Sequence, residues 1–512
     1  MIGRLLPGEQ RPGEQRGEGN APGEQRTGSP ADPHVASRAD RLGDMTQPST
    51  PTPTLDGQIE AHLDATREAR LADYGEFLKI PSISTLPDHA PDVRRAAEWL
   101  AESMRTAGLE HVEVSETGGH PVVYGDWLHA EGAPTVLVYG HYDVQPVDPL
   151  DLWTSPPFEP VIEGDRMLAR GAADDKGQVH AHVMAAAALL AARGGYPVNV
   201  RYVFEGEEES SSIHLDAWLT KHAERLAADV AVISDTGFFE GNIPAITISL
   251  RGMMYSQIDV VGSTVDLHSG GYGGAVQNPA NALAGIIAAL KGPDGRIRIP
   301  GFYDEVVALT DEERAEIAAL PWDDEAYRAS INVPALSGEV GYSTLERRSI
   351  RPTLDVNGIW GGFQGDGAKT IIPAHAHAKV SCRLVADQEP MVIYERLRDF
   401  VAEIAPPGVT VTVRLLGGGR PSRTPTDHPV AQAAARALEA TFGQPPVFVR
   451  EGGSIPVSSS FERILGLPVV LLGFAQPGEN AHAPDEWMDL RNYEGAIRAI
   501  VRTFDEIAEL PR

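Results

Sequence analysis

Four short apolar segments of this chain are each followed by histidine or acidic residues. The first, Val136–Tyr139, is rich in valine, as buried strands are, and His141 and Asp143 follow it directly. In open α/β sheets, sites form at the carboxyl ends of strands, so we expect the polar residues to lie together. The other segments, with the residues that follow them, are Asn199–Phe204 with Glu205–Glu209, Asp229–Ile233 with Asp235, and Leu467–Leu472 with His482.

The chemistry of these residues indicates a metal centre. Imidazole and carboxylate ligands without cysteine suit zinc or manganese. A further carboxylate, Asp174, precedes a helix predicted for Val179–Ala192, which is rich in alanine and free of glycine and proline. The histidines are too few for a mononuclear histidine site, whereas the carboxylates are numerous enough to bridge. The sequence therefore predicts two metal ions.

Seven short motifs follow one another along the chain: HYD from His141, ADDKG from Ala173, GEEES from Gly206, SDT from Ser234, HSG from His268, EGGSIP from Glu451 and NAH from Asn480. In this order they resemble the motifs of the M20 metallopeptidases, and most closely those of the dipeptidase branch with the carnosinase-like enzymes. The resemblance extends from about Leu55 to the C-terminus. It implies an α/β fold, in which a zinc-peptidase-like catalytic domain carries an inserted ferredoxin-like α+β domain that serves as lid and dimerisation domain.

The sequence predicts a tail and two domains. Residues 1–54 contain three copies of PGEQR and too little apolar surface to offset the entropy of ordering, which predicts a disordered tail; translation from Met45 is an alternative. Residues 55–248 and 417–512 are predicted to form the catalytic domain, and residues 249–416 the lid. Strand and helix patterns between Met254 and Leu415 favour a ferredoxin-like sandwich, and residues 292–367 give no interpretable pattern.

The resemblance implies a role for each metal ligand. Asp174 would bridge the two ions, which places the ligand at the first of two adjacent aspartates and resembles cases with a cis peptide bond between them. The remaining ligands would divide into two pairs, which are His141 with Asp235, and Glu209 with His482.

The resemblance also implies the catalytic groups. Asp143 would accept the second ring N–H of His141 and fix its tautomer. Glu208 would be the general base, in a register that makes the neighbouring Glu209 the ligand. Ser211 stands where the family usually has glycine, which weakens this register slightly.

A second set of residues is implied to contact the substrate. His268 would stabilise the developing oxyanion, and in related dimeric enzymes the equivalent histidine reaches the neighbouring subunit. Arg383 would clamp the free carboxylate of the substrate. Thr370, Gly453 and Ser454 would lie in substrate-contacting loops.

We therefore predict a cytoplasmic, homodimeric dipeptidase that binds two divalent ions, Zn²⁺ or alternatively Mn²⁺ or Co²⁺, and acts on dipeptides or short peptides with a free C-terminus. The net charge of −29 argues against a nucleic-acid partner. No apolar run is long enough to span a membrane, and a single cysteine, Cys382, fits a reducing compartment. The alternatives are an N-acyl amino acid deacylase of the same fold and a non-catalytic binding protein, which should have lost ligands or the base.

Overall fold

Strands and helices alternate along the part of the chain that the computed structural model describes, residues 57–453 and 455–511. The tail predicted for residues 1–54 and the predicted contact Ser454 lie outside these residues. The strands are β1 (Glu110–Ser115), β2 (Val122–Trp127), β3 (Thr135–His141), β4 (Val161–Glu163), β5 (Arg166–Leu168), β6 (Asn199–Glu205), β7 (Val230–Ile233), β8 (Ala245–Leu250), β9 (Gly252–Val261), β10 (Leu267–His268), β11 (Thr353–Gly361), β12 (Ile371–Ile372), β13 (His375–Leu384), β14 (Thr410–Gly419), β15 (Ser422–Arg423), β16 (Val447–Glu451), β17 (Val469–Leu471) and β18 (Trp487–Asp489).

The helices account for most of the remaining regular structure. None of those in the described part of the chain is both long and apolar enough to cross a bilayer. They are α1 (Gly57–Leu78), α2 (Ala90–Thr106), α3 (Lys176–Arg193), α4 (Leu215–His222), α5 (Ser269–Tyr272), α6 (Pro279–Leu290), α7 (Asp311–Ala319), α8 (Asp324–Ser330), α9 (Thr344–Ser349), α10 (Pro390–Ile404), α11 (Pro429–Phe442), α12 (Pro456–Ser460) and α13 (Leu490–Ala508).

A mixed sheet of nine strands forms the centre of the larger domain. Its strand order is β1-β2-β6-β3-β7-β17-β8-β15, and β16 pairs with β8. The four middle strands β6, β3, β7 and β17 run parallel to one another. Their carboxyl ends therefore lie at the same edge of the sheet, as expected for the four apolar segments.

Both faces of this sheet are covered. Val136 and Val138 belong to a core cluster that includes residues of α1, α2, α3, α11 and α13. Leu137 and Tyr139 belong to a second cluster on the opposite face, with residues of α4. Because the side chains on both faces of β3 are buried, the sequence of this strand is continuously apolar and does not alternate between apolar and polar residues.

The segment between the two parts of the large sheet forms its own sheet and core. Four antiparallel strands lie in the order β11-β13-β9-β14, and α6 and α10 contribute to the associated apolar cluster. In chain order, these elements form one strand-helix-strand unit, β9-α6-β11, and then a second, β13-α10-β14. This is the ferredoxin-like arrangement that the sequence predicted.

Two parts of this segment differ from the sequence patterns. Strand β14 continues to Gly419, beyond the expected end at Leu415, because a bulge lets three consecutive glycines pair with β9. The uninterpreted residues 292–367 contain α7, α8, α9 and β11. The starts of α7 and α9 are capping boxes, formed by Thr310 with Glu313 and by Ser343 with Glu346, and this signal was readable in the sequence.

Candidate metal centre

Two groups of side chains that can bind metal ions share Asp174. The first group is His141, Asp174 and Asp235, and the second is Asp174, Glu209 and His482. Within each group the potential ligand atoms all lie within 4.8 Å of one another. One carboxylate oxygen of Asp174 is 3.1 Å from His141 Nε2, and the other is 2.8 Å from His482 Nε2. Asp174 thus presents one oxygen to each group, as a carboxylate that bridges two ions does.

The central sheet explains why these residues meet. His141 is the last residue of β3, and Asp235 lies two residues beyond the parallel neighbour β7. Glu209 lies in a short helical turn just beyond β6. His482 follows β17 in a loop and has a φ of 62°, a conformation that is uncommon outside glycine and concentrates at functional sites.

The electrostatics of the two groups fit bound cations. Hydrogen bonds with Asp174 and Glu209 raise the pKa of His482 to about 10, and burial raises the pKa of Asp235 to about 6. Among the described residues, the carboxylates of Asp174, Asp235 and Glu209 form ion pairs with histidine but not with lysine or arginine. Glu209 Oε1 is also buried, and it faces His482 Nε2 at 3.3 Å. Divalent ions would take the place of the imidazole protons and would satisfy this oxygen.

The adjacent aspartates have different surroundings. Asp174 contacts both histidines of the site, whereas Asp175 is fully buried and accepts the backbone N–H of His141 at 3.2 Å. The peptide bond between the two aspartates is cis, as expected from the resemblance.

Asp143 connects His141 with the acidic segment, but not quite as predicted. The carboxylate of Asp143 accepts the backbone N–H groups of Glu208 and Glu209, at 3.2 and 3.0 Å. The nearest acceptor for His141 Nδ1 is the backbone oxygen of Asp143, at 3.1 Å, while the carboxylate oxygen Oδ1 is 3.4 Å away. The carboxylate therefore lies between the imidazole of His141 and the turn that carries Glu209.

The three consecutive glutamates lie in three environments. Glu209 belongs to the second metal-binding group, and Glu207 lies 3.0 Å from Nδ1 of His214. Glu208 belongs to neither group, and burial raises the pKa of its carboxyl well above the usual value. Ser211 has a φ of 82°, which explains the family's preference for glycine at this position, since glycine adopts this conformation without strain.

His268 and Thr370 lie next to each other. His268 is exposed at the end of β10, and its Nδ1 accepts the N–H of Gly270 at 3.0 Å. The backbone N–H of Ser269 donates to the carbonyl oxygen of Thr370 at 3.1 Å. Within the described parts of the chain, no hydrogen bond or ion pair connects His268 with either metal-binding group.

The remaining predicted contacts lie on two elements near the boundary between the sheets. Arg383 is half-buried on β13, where it pairs with Met253 of β9. Gly453 follows β16 and lines a cavity. Glu451, the last residue of β16, accepts a hydrogen bond from the Thr247 hydroxyl at 3.0 Å.

Comparison with known proteins decides the family. The model for peptidase family M20/M25/M40 matches residues 137–506. This chain is an M20-family peptidase. The prediction from the ordered motifs is thereby confirmed, and so is the prediction that the chain is a metallopeptidase of the dipeptidase branch.

Three relatives show how far the likeness extends. The Cys-Gly metallodipeptidase dug1 of Schizosaccharomyces pombe is 32% identical, over 88% of this chain and 97% of the relative. The crystal structure of human carnosine dipeptidase 1 superposes with a TM-score of 0.78 at 29% identity, covering 90% of this chain and all of the relative. An M20 family metallo-carboxypeptidase from Sulfolobus solfataricus gives a TM-score of 0.78 at 33% identity, covering 86% and 99%.

The structure of the M20 peptidase also identifies a residue that the sequence analysis missed. Glu486 is fully buried, and its Oε1 accepts the N–H groups of Ala173 and Asp174, at 2.9 and 3.1 Å. Its Oε2 accepts the N–H of Gly171 and pairs with Arg170 at 2.7 Å. Glu486 therefore fixes the loop that presents Asp174. It lies four residues after His482 in the continuation of the NAH motif, HAPDE, which was the available signal.

We expect Glu486→Gln to weaken metal binding by about 10–100-fold, the usual cost of losing a residue that orients a ligand. A glutamine amide cannot accept all of the hydrogen bonds that the Glu486 carboxylate accepts, so the Asp174 loop would lose its fixed position. The measurement is competition for Zn²⁺ against a chelating dye. The matched control is Glu339→Gln. Glu339 is also a buried glutamate that pairs with an arginine, Arg351, but it lies in the inserted segment. Equal metal affinity in both variants would contradict the assignment.

Proposed function

We propose that this M20 peptidase is a metal-dependent dipeptidase that hydrolyses dipeptides or short peptides with a free C-terminus. The observation that supports this most is the pair of three-residue groups sharing Asp174, with Glu208 outside both groups but close enough to His141 and Asp235 for them to affect its pKa. The donor set suits Zn²⁺, with Mn²⁺ or Co²⁺ as alternatives. A cytoplasmic location is consistent with the single cysteine, Cys382, which is buried and free.

In the proposed reaction, the bound ions, Glu208 and Asp143 would have separate roles. Bound divalent ions would lower the pKa of water and polarise the scissile carbonyl. Glu208 would accept a proton from the attacking water and pass it to the leaving amine. Burial raises the pKa of its carboxyl, and a more basic carboxylate accepts the proton of water more readily. Asp143 would hold the turn that carries Glu208 and Glu209.

The names of the relatives support peptide rather than N-acyl substrates. They are described as a Cys-Gly metallodipeptidase, a carnosine dipeptidase and a metallo-carboxypeptidase. All five ligand-type residues and Glu208 are present, which also argues against a binding protein without activity. Arg383 would clamp the free carboxylate of such a substrate, and Thr370, Gly453 and Ser454 would lie in substrate-contacting loops.

A substrate panel tests this function. Free dipeptides should be hydrolysed, and N-acetyl and N-succinyl amino acids should be cleaved far more slowly. Glu208→Gln protein, prepared in the same way, is the control for contaminating peptidases. Faster cleavage of the N-acyl amino acids would favour the deacylase alternative.

The same proposal includes a homodimer in which His268 completes the site of the partner subunit. Strand β11 lies at one edge of the inserted sheet and pairs on one side, with β13, in the described chain. Its side chains Val356, Ile359 and Trp360 are exposed, and exposed strand edges are usually paired or covered. Pairing of two such edges about a two-fold axis would cover them. In this proposal the exposed His268 of each chain reaches the metal centre of its partner.

Mixing two inactive variants tests this arrangement. His268→Ala and Glu208→Gln should each be nearly inactive alone, and exchange of subunits should restore activity. Random exchange makes half of the dimers mixed, and each mixed dimer has one site with both residues intact, so recovery should approach about a quarter of the wild-type level. The control is the same mixture held under conditions that prevent exchange. Complete exchange without recovered activity would mean that His268 acts within its own chain or not at all.

A further inference from the structure

A cavity of about 480 Å³ is lined by residues that follow β7 and by the end of β16. We call it the arginine pocket and define it by Phe238, Trp322, Arg348, Glu451 and Gly452, which all line it. Its volume is in the range of cavities that hold small ligands. None of its lining residues belongs to the two metal-binding groups.

Two walls of the arginine pocket connect it with the metal centre. Phe238 lies three residues beyond the ligand Asp235. On another wall, Glu451 lies close enough to both Asp235 and Arg348 for their charges to affect its pKa. Burial raises the pKa of the Glu451 carboxyl, Asp235 raises it further, and Arg348 lowers it. A side chain in the pocket could therefore belong to a substrate whose peptide bond lies at the metal centre.

The guanidinium of Arg348 is the available cation of the pocket. It lies over the rings of Trp322 and Tyr327, at 5.1 and 4.6 Å from the ring centroids. In the described part of the chain it forms no ion pair and no hydrogen bond to an acceptor. The other arginines of the lining are occupied: Arg450 pairs with Glu313 at 3.5 Å, and Arg251 donates to backbone carbonyls, including that of Gly452 at 3.3 Å. Arginine held by aromatic rings is well suited to bidentate binding of a carboxylate.

Several arginines lie close together at the arginine pocket. Burial, together with the neighbouring Arg383 and Arg348, lowers the pKa of Arg251 to about 10. Two acidic residues, Glu240 and Glu451, also line the cavity. Burial raises the pKa of the Glu451 carboxyl, and the hydrogen bond from the Thr247 hydroxyl acts in the opposite direction. An anionic ligand would offset the repulsion among the three arginines.

We propose that the arginine pocket receives the side chain of the substrate's C-terminal residue and selects aspartate or glutamate there. This inference depends on the proposed dipeptidase function, in which Arg383 holds the free carboxylate and Gly453 lies in a substrate-contacting loop. Gly453 also lines the pocket, and Arg383 is close enough to affect the pKa of Arg251. The side chain next to a carboxylate held there would enter the pocket and meet Arg348.

The test compares kcat/KM for Ala-Glu, Ala-Gln, Glu-Ala and Ala-Leu in the wild-type holoenzyme. Ala-Glu should exceed Ala-Gln by about 10-fold or more, as expected for a hydrogen-bonded ion pair. Arg348→Gln should bring the ratio of Ala-Glu to Ala-Gln close to one, mainly through KM, and Arg348→Lys should restore part of it, because lysine keeps the charge without the planar fork. Arg398→Gln, an exposed arginine of α10, is the matched control and should leave the ratio unchanged.

Three results would overturn the inference while leaving the proposed function in place. They are equal hydrolysis of Ala-Glu and Ala-Gln, preference for Ala-Leu or Glu-Ala, and a preference for Ala-Glu that Arg348→Gln does not alter. Failure to hydrolyse any of the four dipeptides in the presence of Zn²⁺, Mn²⁺ or Co²⁺ would instead overturn the proposed function, and the inference with it.

Discussion

Replacing Glu208 with glutamine should abolish most turnover while the protein keeps its metal ions. A positioned general base typically contributes about 10²–10⁴-fold to the rate, and glutamine cannot accept the proton from water. Metal content should be unchanged because Glu208 belongs to neither metal-binding group. The measurement is kcat on Ala-Ala together with elemental analysis of the same sample.

The matched variant is Glu209→Gln, one residue further along. Its buried carboxylate lies 3.3 Å from His482 Nε2, so this variant should lose metal as well as activity. If Glu208→Gln loses metal and Glu209→Gln keeps it, the two roles are exchanged, and the register of the acidic run is wrong by one residue.

The second large effect concerns Asp174. We expect Asp174→Asn to reduce activity by about 10³-fold or more, because metal-ion catalysis is worth several kcal/mol and each ~1.4 kcal/mol is a factor of ten. The change removes a charge from both groups at once, since the two oxygens of Asp174 face His141 and His482. Asp235→Asn alters the first group alone.

Metal stoichiometry distinguishes these two variants. Under Zn²⁺ concentrations that saturate the wild type, Asp174→Asn should lose affinity for both ions, whereas Asp235→Asn should retain one tightly bound ion. Loss of a single ion in Asp174→Asn would mean that this carboxylate does not bridge.

The large sheet was predictable because its signal is local. Val136–Tyr139 is buried on both faces, so this segment is short, continuous and apolar in sequence. Parallel neighbours align their carboxyl ends, which is why the sequence alone predicts that His141, Asp235 and the residues beyond β6 and β17 meet.

Features that depend on contacts between distant segments could not be predicted in this way. Glu486 acts on Asp174 from 312 positions away. Its place just after the NAH motif suggests that it lies near the site, but does not indicate which loop it holds. Strand β11 is exposed along much of its length, so it lacks the apolar alternation that reveals a half-buried strand. Arg348 reaches the arginine pocket because α9 packs against β16, a contact between parts of the chain that no local pattern encodes.

The most direct test of a two-ion dipeptidase is a titration of metal-depleted full-length protein with Zn²⁺, following hydrolysis of Ala-Ala. The account predicts that activity rises until two ions are bound per chain and then stays constant, and that Asp174→Asn shows no such rise. Full activity with one ion bound per chain, or activity that is unaffected by removal of metal, would contradict it.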